Sequence, residues 1–167
     1  MASTYEFITK QTAENITSMQ ITNCFSATYD IYEIHVNVIE FSSGGDLNIR
    51  FMTSGGPDSG ANYNAGVSLQ RSYGAFADNV RDGATSMGSI GYDNLLKGGA
   101  TTIRVFEPFD SSKWTYAMWQ NTGNSTSGPP VRKGIGALEV DSSIVGIELI
   151  GDTAGLNVAA SVFGVRT

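Results

Sequence analysis

The stretch that decides the fold is Tyr29-Asp30-Ile31-Tyr32-Glu33-Ile34-His35-Val36-Asn37-Val38-Ile39-Glu40-Phe41. Tyr32, Ile34, Val36 and Val38 fall on one side of an alternation, with Glu33, His35 and Asn37 on the other. Only an extended strand sends successive side chains to opposite faces, so this segment reads as a half-buried β-strand. Leu47, Ile49 and Phe51 alternate with Asn48, Arg50 and Met52 in the same way. The link Ser42-Ser43-Gly44-Gly45-Asp46 has turn chemistry, because glycine adopts positive φ without steric cost. Tyr29 to Thr53 is therefore expected to form an antiparallel hairpin.

Working outward, weaker alternations predict strands at Tyr5–Thr9, Ile16–Ile21, Thr101–Phe106, Lys113–Gln120, Ile135–Val140, Ile144–Ile150 and Leu156–Val165. The region Thr53 to Gly99 is rich in Gly, Ser, Asn and Asp and is expected to hold long loops, with one short helical turn at Phe76 to Val80. No repeat, linker or low-complexity stretch divides the chain, so residues 1–167 read as one domain. The expected fold is all-β: an antiparallel sandwich or jelly roll of eight to ten short strands, with long loops in its middle third.

Composition agrees. Glycine supplies 20 of 167 residues, against ~7% on average, and charged residues supply 16% against a usual ~25%. The net charge is −6 and no cluster of Lys or Arg exists, which argues against a nucleic-acid partner. No apolar run is long enough to span a membrane, and Met1–Glu6 has neither the basic nor the apolar part of a secretion signal. Surfaces poor in charge suit contact with another protein, which points to self-association or docking.

Chemistry is hard to find. His35 is the only histidine and Cys24 the only cysteine, so a nucleophilic triad has one base to draw on, and an intrachain disulfide is excluded. Gly88-Ser89-Ile90-Gly91 has the wrong spacing for a nucleophile elbow. Gly134-Ile135-Gly136 lacks the third glycine of a dinucleotide loop. The expectation is a non-enzyme without cofactor. Asp58 with Asn62, or Asp78 with Asp82, could offer oxygen to a loop calcium ion, but neither follows a calcium-loop spacing. Trp114, Tyr116 and Met118 share one face of their strand and Trp119 takes the other, so one tryptophan belongs to the core. Trp119, Tyr63, Tyr73 and Tyr92 are the candidate interface anchors, since aromatics commonly fill that role.

Ser3-Thr4-Tyr5-Glu6-Phe7-Ile8 is similar to the start of small structural proteins of tailed bacteriophages, notably of marine and cyanobacterial hosts. The Ser/Thr-rich strand Ile16–Ile21, the strand start Tyr29–Ile34, Leu47-Asn48-Ile49-Arg50-Phe51 with Asn62-Tyr63, and the closing Ser161–Val165 follow that pattern. Asn23-Cys24-Phe25 replaces an Ile-Pro found there, and Tyr73 to Gly99 has no counterpart. The resemblance implies a virion component assembled in the host cytoplasm. The absence of a coiled-coil or repeat-built shaft favours a capsid decoration or cement protein, as a homo-oligomer (a trimer favoured) on the major capsid protein, and Met1–Thr4, small and uncharged, is expected to be a docking arm. The alternative is a tail fibre or baseplate part, or a host-glycan-binding tip. That tip would cluster loops Ser54–Tyr63 and Asn121–Pro130 around Trp119 or Tyr63. A hydrolase of host polysaccharide would need two facing carboxylates in a groove.

Overall fold

A computed structural model describes residues 4–71, 76–93, 97–125 and 128–166. Thirteen strands follow in chain order: β1 (Thr4–Ile16), β2 (Ser18–Ile21), β3 (Ile31–Phe41), β4 (Gly45–Thr53), the two-residue β5 (Gly56–Pro57), β6 (Tyr63–Arg71), β7 (Ala77–Ala84), β8 (Met87–Asp93), β9 (Ala100–Phe106), β10 (Thr115–Thr122), β11 (Pro130–Leu138), β12 (Gly146–Gly151) and β13 (Leu156–Arg166). The described residues contain no helix.

Two antiparallel sheets result. The larger runs β1-β13-β3-β9-β10-β11-β6-β7, and the smaller runs β2-β12-β4-β5 with β8 also paired to β4. One hydrophobic cluster lies between them, fed by Tyr32, Ile34 and Val36 of β3, Ile103 and Val105 of β9, and Leu47, Ile49, Phe51, Ile147 and Leu149 of the smaller sheet. Burying one face of each sheet against the other is what the two-residue alternation demands. The all-β sandwich expected from the sequence is the fold.

Three expectations are corrected. The first concerns β3 and β4, which are not a hairpin: β3 pairs with β13 and β9, while β4 pairs with β12, β5 and β8. The turn, with Gly44 at φ 79°, carries the chain from one sheet to the other. Each strand has one apolar face, and those faces meet across the core instead of lying side by side. The second concerns the phase of β3. A register shift between Ala159 and Ala160 lies opposite it, and past that point Ile39 and Phe41 are the buried residues.

The third concerns the middle region, which holds β6, β7 and β8 where long loops were expected. The helical turn expected at Phe76–Val80 falls largely in β7, paired with β6 from Ala77 to Ala84. Tyr63, Ala65 and Val67 alternate inward along β6, and Tyr63 is wholly buried. Its hydroxyl accepts from the Phe51 amide at 2.9 Å and donates to the Asp58 carbonyl at 3.1 Å.

Candidate interaction face on the larger sheet

Residues directly opposite in an antiparallel pair project to the same face. One transverse row can therefore be followed across all eight strands. Phe7 pairs with Phe163, Phe163 with Glu33, Glu33 with Arg104, Arg104 with Met118, Met118 with Ile135, Ile135 with Gly66, and Gly66 with Val80. These side chains lie on the outer face, away from the core. The neighbouring row on one side contains His35, Thr102, Gln120, Lys133, Ser68 and Asp78, and on the other Phe106, Tyr116, Ala137 and Asn64.

The row divides into two halves. In the first, Glu33 is buried although it faces outward. Its Oε2 accepts from the Tyr5 hydroxyl at 3.0 Å and from Arg104 Nη2 at 2.9 Å, and its Oε1 lies 2.7 Å from His35 Nε2. Burial pushes this carboxyl up, but the hydrogen bonds from His35, Arg104 and Tyr5 together outweigh burial and hold it below the ordinary value of 4.5. Phe163 packs edge-on against Tyr5 and Phe7, with the His35 ring 5.1 Å away. In this half the carboxylate is fully engaged, while the Tyr5 and Phe7 rings stay more than half exposed at its margin.

The second half is open and apolar. Met118 is 52% exposed, Ile135 61%, Val80 78% and Phe76, just before β7, 73%. Met118, Ile135 and Val80, together with Gly66, form part of the lining of a groove of about 780 Å³ whose polar edge includes Arg104, Gln120, Lys133, Ser68 and Asp78. Tyr116 and, just before β10, Trp114 extend the exposed apolar surface past one end. Gly66 contributes the depth: a Cβ built on it would meet nothing within 4 Å. The outer face of the smaller sheet is different in kind. There Glu148 is buried among Ser18, Gln20 and Arg50, and the pairing row is polar.

The expected anchors lie elsewhere. Trp119 is 4% exposed and belongs to the core, with its indole against Gly134 on the neighbouring strand. Tyr63 is also core. Neither can anchor a partner, and both are corrections to the sequence reading. Tyr92 is half-buried, with the Arg132 guanidinium 4.5 Å from its ring centre. Tyr73 and residues 1–3 of the expected docking arm lie outside the described residues. The described ends of the loops expected to cluster, Ser54–Tyr63 and Asn121–Pro130, lie apart. Tyr63 pairs with Leu138 at one end of the sheet, while Arg71 pairs with Pro130 at the other.

Glu33 and Asp78 both border the groove, yet five strand spacings separate β3 from β7, roughly 24 Å. That is well beyond the ~5–9.5 Å of a glycosidase pair. Asp58 accepts from the Gly60 amide at 2.8 Å and from Asn62 Nδ2 at 3.2 Å. Among the described residues, no three His, Cys, Asp or Glu groups converge as a metal site would require. Cys24 is buried, and burial raises its thiol to about 12, far from the thiolate a nucleophile needs.

No family model and no curated protein matches the chain. Among solved structures it is similar to the galectin LEC-6 of Caenorhabditis elegans, at 9% identity and a TM-score of 0.38, over 98% of this chain and 96% of that one. It is also similar to a fructofuranosidase from Schwanniomyces occidentalis, at 6% identity and a TM-score of 0.34, over 98% of this chain but 34% of that one. A third likeness, at 12% identity and a TM-score of 0.26, is to the Emp47p carbohydrate recognition domain, over 96% of this chain and 88% of that one. At such scores the fold assignment rests on the chain's own two sheets.

Sequence reasoning missed Ile135, Val80 and Gly66. A usable signal stood in Gly134-Ile135-Gly136: glycines that make room for Trp119 and Met87 must face the core, which turns Ile135 outward.

Proposed function

We propose that the chain is a non-enzymatic structural protein of a tailed-phage particle that docks through the outer face of its larger sheet. One observation carries this reading: the row of Met118, Ile135 and Val80, all more than half exposed, on one outer face, with Tyr116 exposed beside it and Tyr5 and Phe7 exposed at its far edge. Contiguous exposed apolar patches on soluble proteins mark interaction sites, because leaving them in water is unfavourable by about 25 cal/mol per Å². The similarity of both chain ends to phage structural proteins gives the partner class, and a net charge of −6 keeps free copies soluble before assembly. Within the particle the role is capsid decoration, as an oligomer on the major capsid protein, with this face buried between subunits.

The alternative reading, a glycan-binding tail tip, loses the platform expected for it, since Trp119 and Tyr63 are in the core. Mass spectrometry of purified particles tests the proposal. The chain is expected at a fixed ratio to the major capsid protein. Its absence from particles while present in the infected lysate refutes the virion assignment.

A further inference from the structure

The groove carries a knob, Met118, and a recess, Gly66, one strand to either side of Ile135 in a single row. We propose that the outer face of the larger sheet packs against the same face of a second copy of this chain, about a twofold axis running along β11. This rests on the reading of that face as a docking surface and names its occupant. The twofold pair is what the face itself supports, where the sequence alone favoured three copies.

Consider what such an axis brings together. A twofold axis lying between two facing sheets superposes strands equidistant from it on either side. Counting from β11, β10 of one copy then lies over β6 of the other, and β9 over β7. Met118 on β10 and Gly66 on β6 occupy the same transverse row, on either side of Ile135. Met118 of each copy is therefore set over the recess at Gly66 of the other, where no heavy atom lies within 4 Å of the missing Cβ. The knob is a flexible thioether and the hole is a glycine, and the pair occurs twice. Ile135 meets its own counterpart on the axis.

Charge follows the same exchange. Arg104 on β9 belongs to the row of Val80, and Asp78 on β7 belongs to the adjacent row. Superposing β9 on β7 places the guanidinium of one copy within one row of the Asp78 carboxylate of the other, at both ends of the interface. Lys133 on β11 also lies on the axis and meets its own counterpart, and its four-carbon stem lets each ammonium swing away from the other toward solvent. Arg104 is already paired with Glu33 of its own copy at 2.9 Å, so Asp78 of the other copy adds a second carboxylate to that guanidinium. An arrangement that set β7 on β7 would instead bring the two Asp78 carboxylates together.

The size of the face sets the affinity to look for. Five strands and about seven residues along each give a flat footprint of roughly 450–550 Å² per copy, at the low end for specific complexes. Association is therefore expected in the micromolar range and must be followed over concentration.

The test is solution mass by sedimentation or light scattering between ~1 and ~300 µM, a span chosen to bracket micromolar association. The wild-type protein is expected to rise from 17.7 kDa to twice that value. Gly66→Leu fills the recess without touching the core, and is expected to weaken pairing at least tenfold with an unchanged far-UV spectrum. Ile135→Asp places two carboxylates on the axis and should do the same. A wild-type protein that stays monomeric throughout overturns the proposal, as does a threefold mass, or a dimer that both variants leave intact. The outcomes separate from the virion assignment. A monomer present in particles at fixed ratio sinks only the pairing, and a variant-sensitive dimer absent from particles sinks only the virion reading.

Discussion

Gly134 and Gly66 sit on adjacent strands, one facing the core and one facing solvent, and the structure assigns them opposite responses to the same substitution. A Cβ at Gly134 would overlap the six-membered ring of Trp119 and lie 2.7 Å from its Nε1, where neither indole nor sheet can yield cheaply. Overpacking of this kind costs about 1–3 kcal/mol, partly offset by the ~0.5–1 kcal/mol that alanine gains over glycine within a strand. Gly134→Ala is thus expected to destabilise by about 1–2 kcal/mol, a fall of ~2–8 °C in Tm for a chain of this size. Gly66→Ala, with open space around its Cβ, should be neutral or gain ~0.5 kcal/mol.

Trp119→Leu supplies the third corner of a double-mutant cycle. It costs about 2–4 kcal/mol alone, but in its background Gly134→Ala should lose its penalty, giving a coupling of ~1–3 kcal/mol. Urea denaturation followed by far-UV circular dichroism is the assay, because removing Trp119 changes the fluorescence signal itself. Equal m-values across the set confirm that midpoints report stability. A Gly134→Ala protein as stable as wild type, or a penalty undiminished in the Trp119→Leu background, would refute the placement of the indole against β11.

Two further outcomes follow from the titrating groups. Glu33 has its carboxyl held below 4.5 when folded, so its stabilising contribution is complete above that pH and is lost as pH falls through the lowered folded value. Glu33→Gln should cost about 1–2 kcal/mol at pH 7 and flatten the acid limb of a Tm-against-pH curve, and parallel curves for the two proteins would sink the idea. Cys24, buried with its thiol raised to about 12, should react with an aromatic disulfide reagent at pH 8 only when the chain opens. Labelling of native protein as fast as of urea-unfolded protein would contradict that burial.

The strands with strict alternation were legible because period-two patterning is local. β3, β9, β10 and β13 were all found this way. What pairs with what is not local. The link between β3 and β4 has the length and glycine of a hairpin turn, yet it joins two sheets, because each flanking strand has an apolar face that meets the other across the core. β6 carried a readable alternation at Tyr63, Ala65 and Val67, masked by its Asn and Gly. β7 had none to read: it is an edge strand exposed along almost its whole length, so neither of its faces selects apolar residues.

β10 shows where the reading failed for a reason tied to its outer face. Its parity was correct, but Thr115, Ala117, Trp119 and Asn121 face inward while Tyr116 and Met118 face out. By hydrophobicity the two sides are nearly equal, so only the neighbouring strand can decide. β11 offers Gly134 and Gly136 to the core and Ile135 to solvent. A sheet serving the fold alone would place Ile135 inward and a threonine or serine outward, as at Thr102 and Ser68 on the same face. Trp119 fills the space above the glycines, so the core is complete without Ile135 or Met118. Their exposure adds nothing to the stability of a lone chain and lowers its solubility. Apolar bulk placed where the fold does not require it is accounted for by whatever covers it, and this is why the outer face of β10, β11 and β7, rather than any loop, is the place to look for the protein's work.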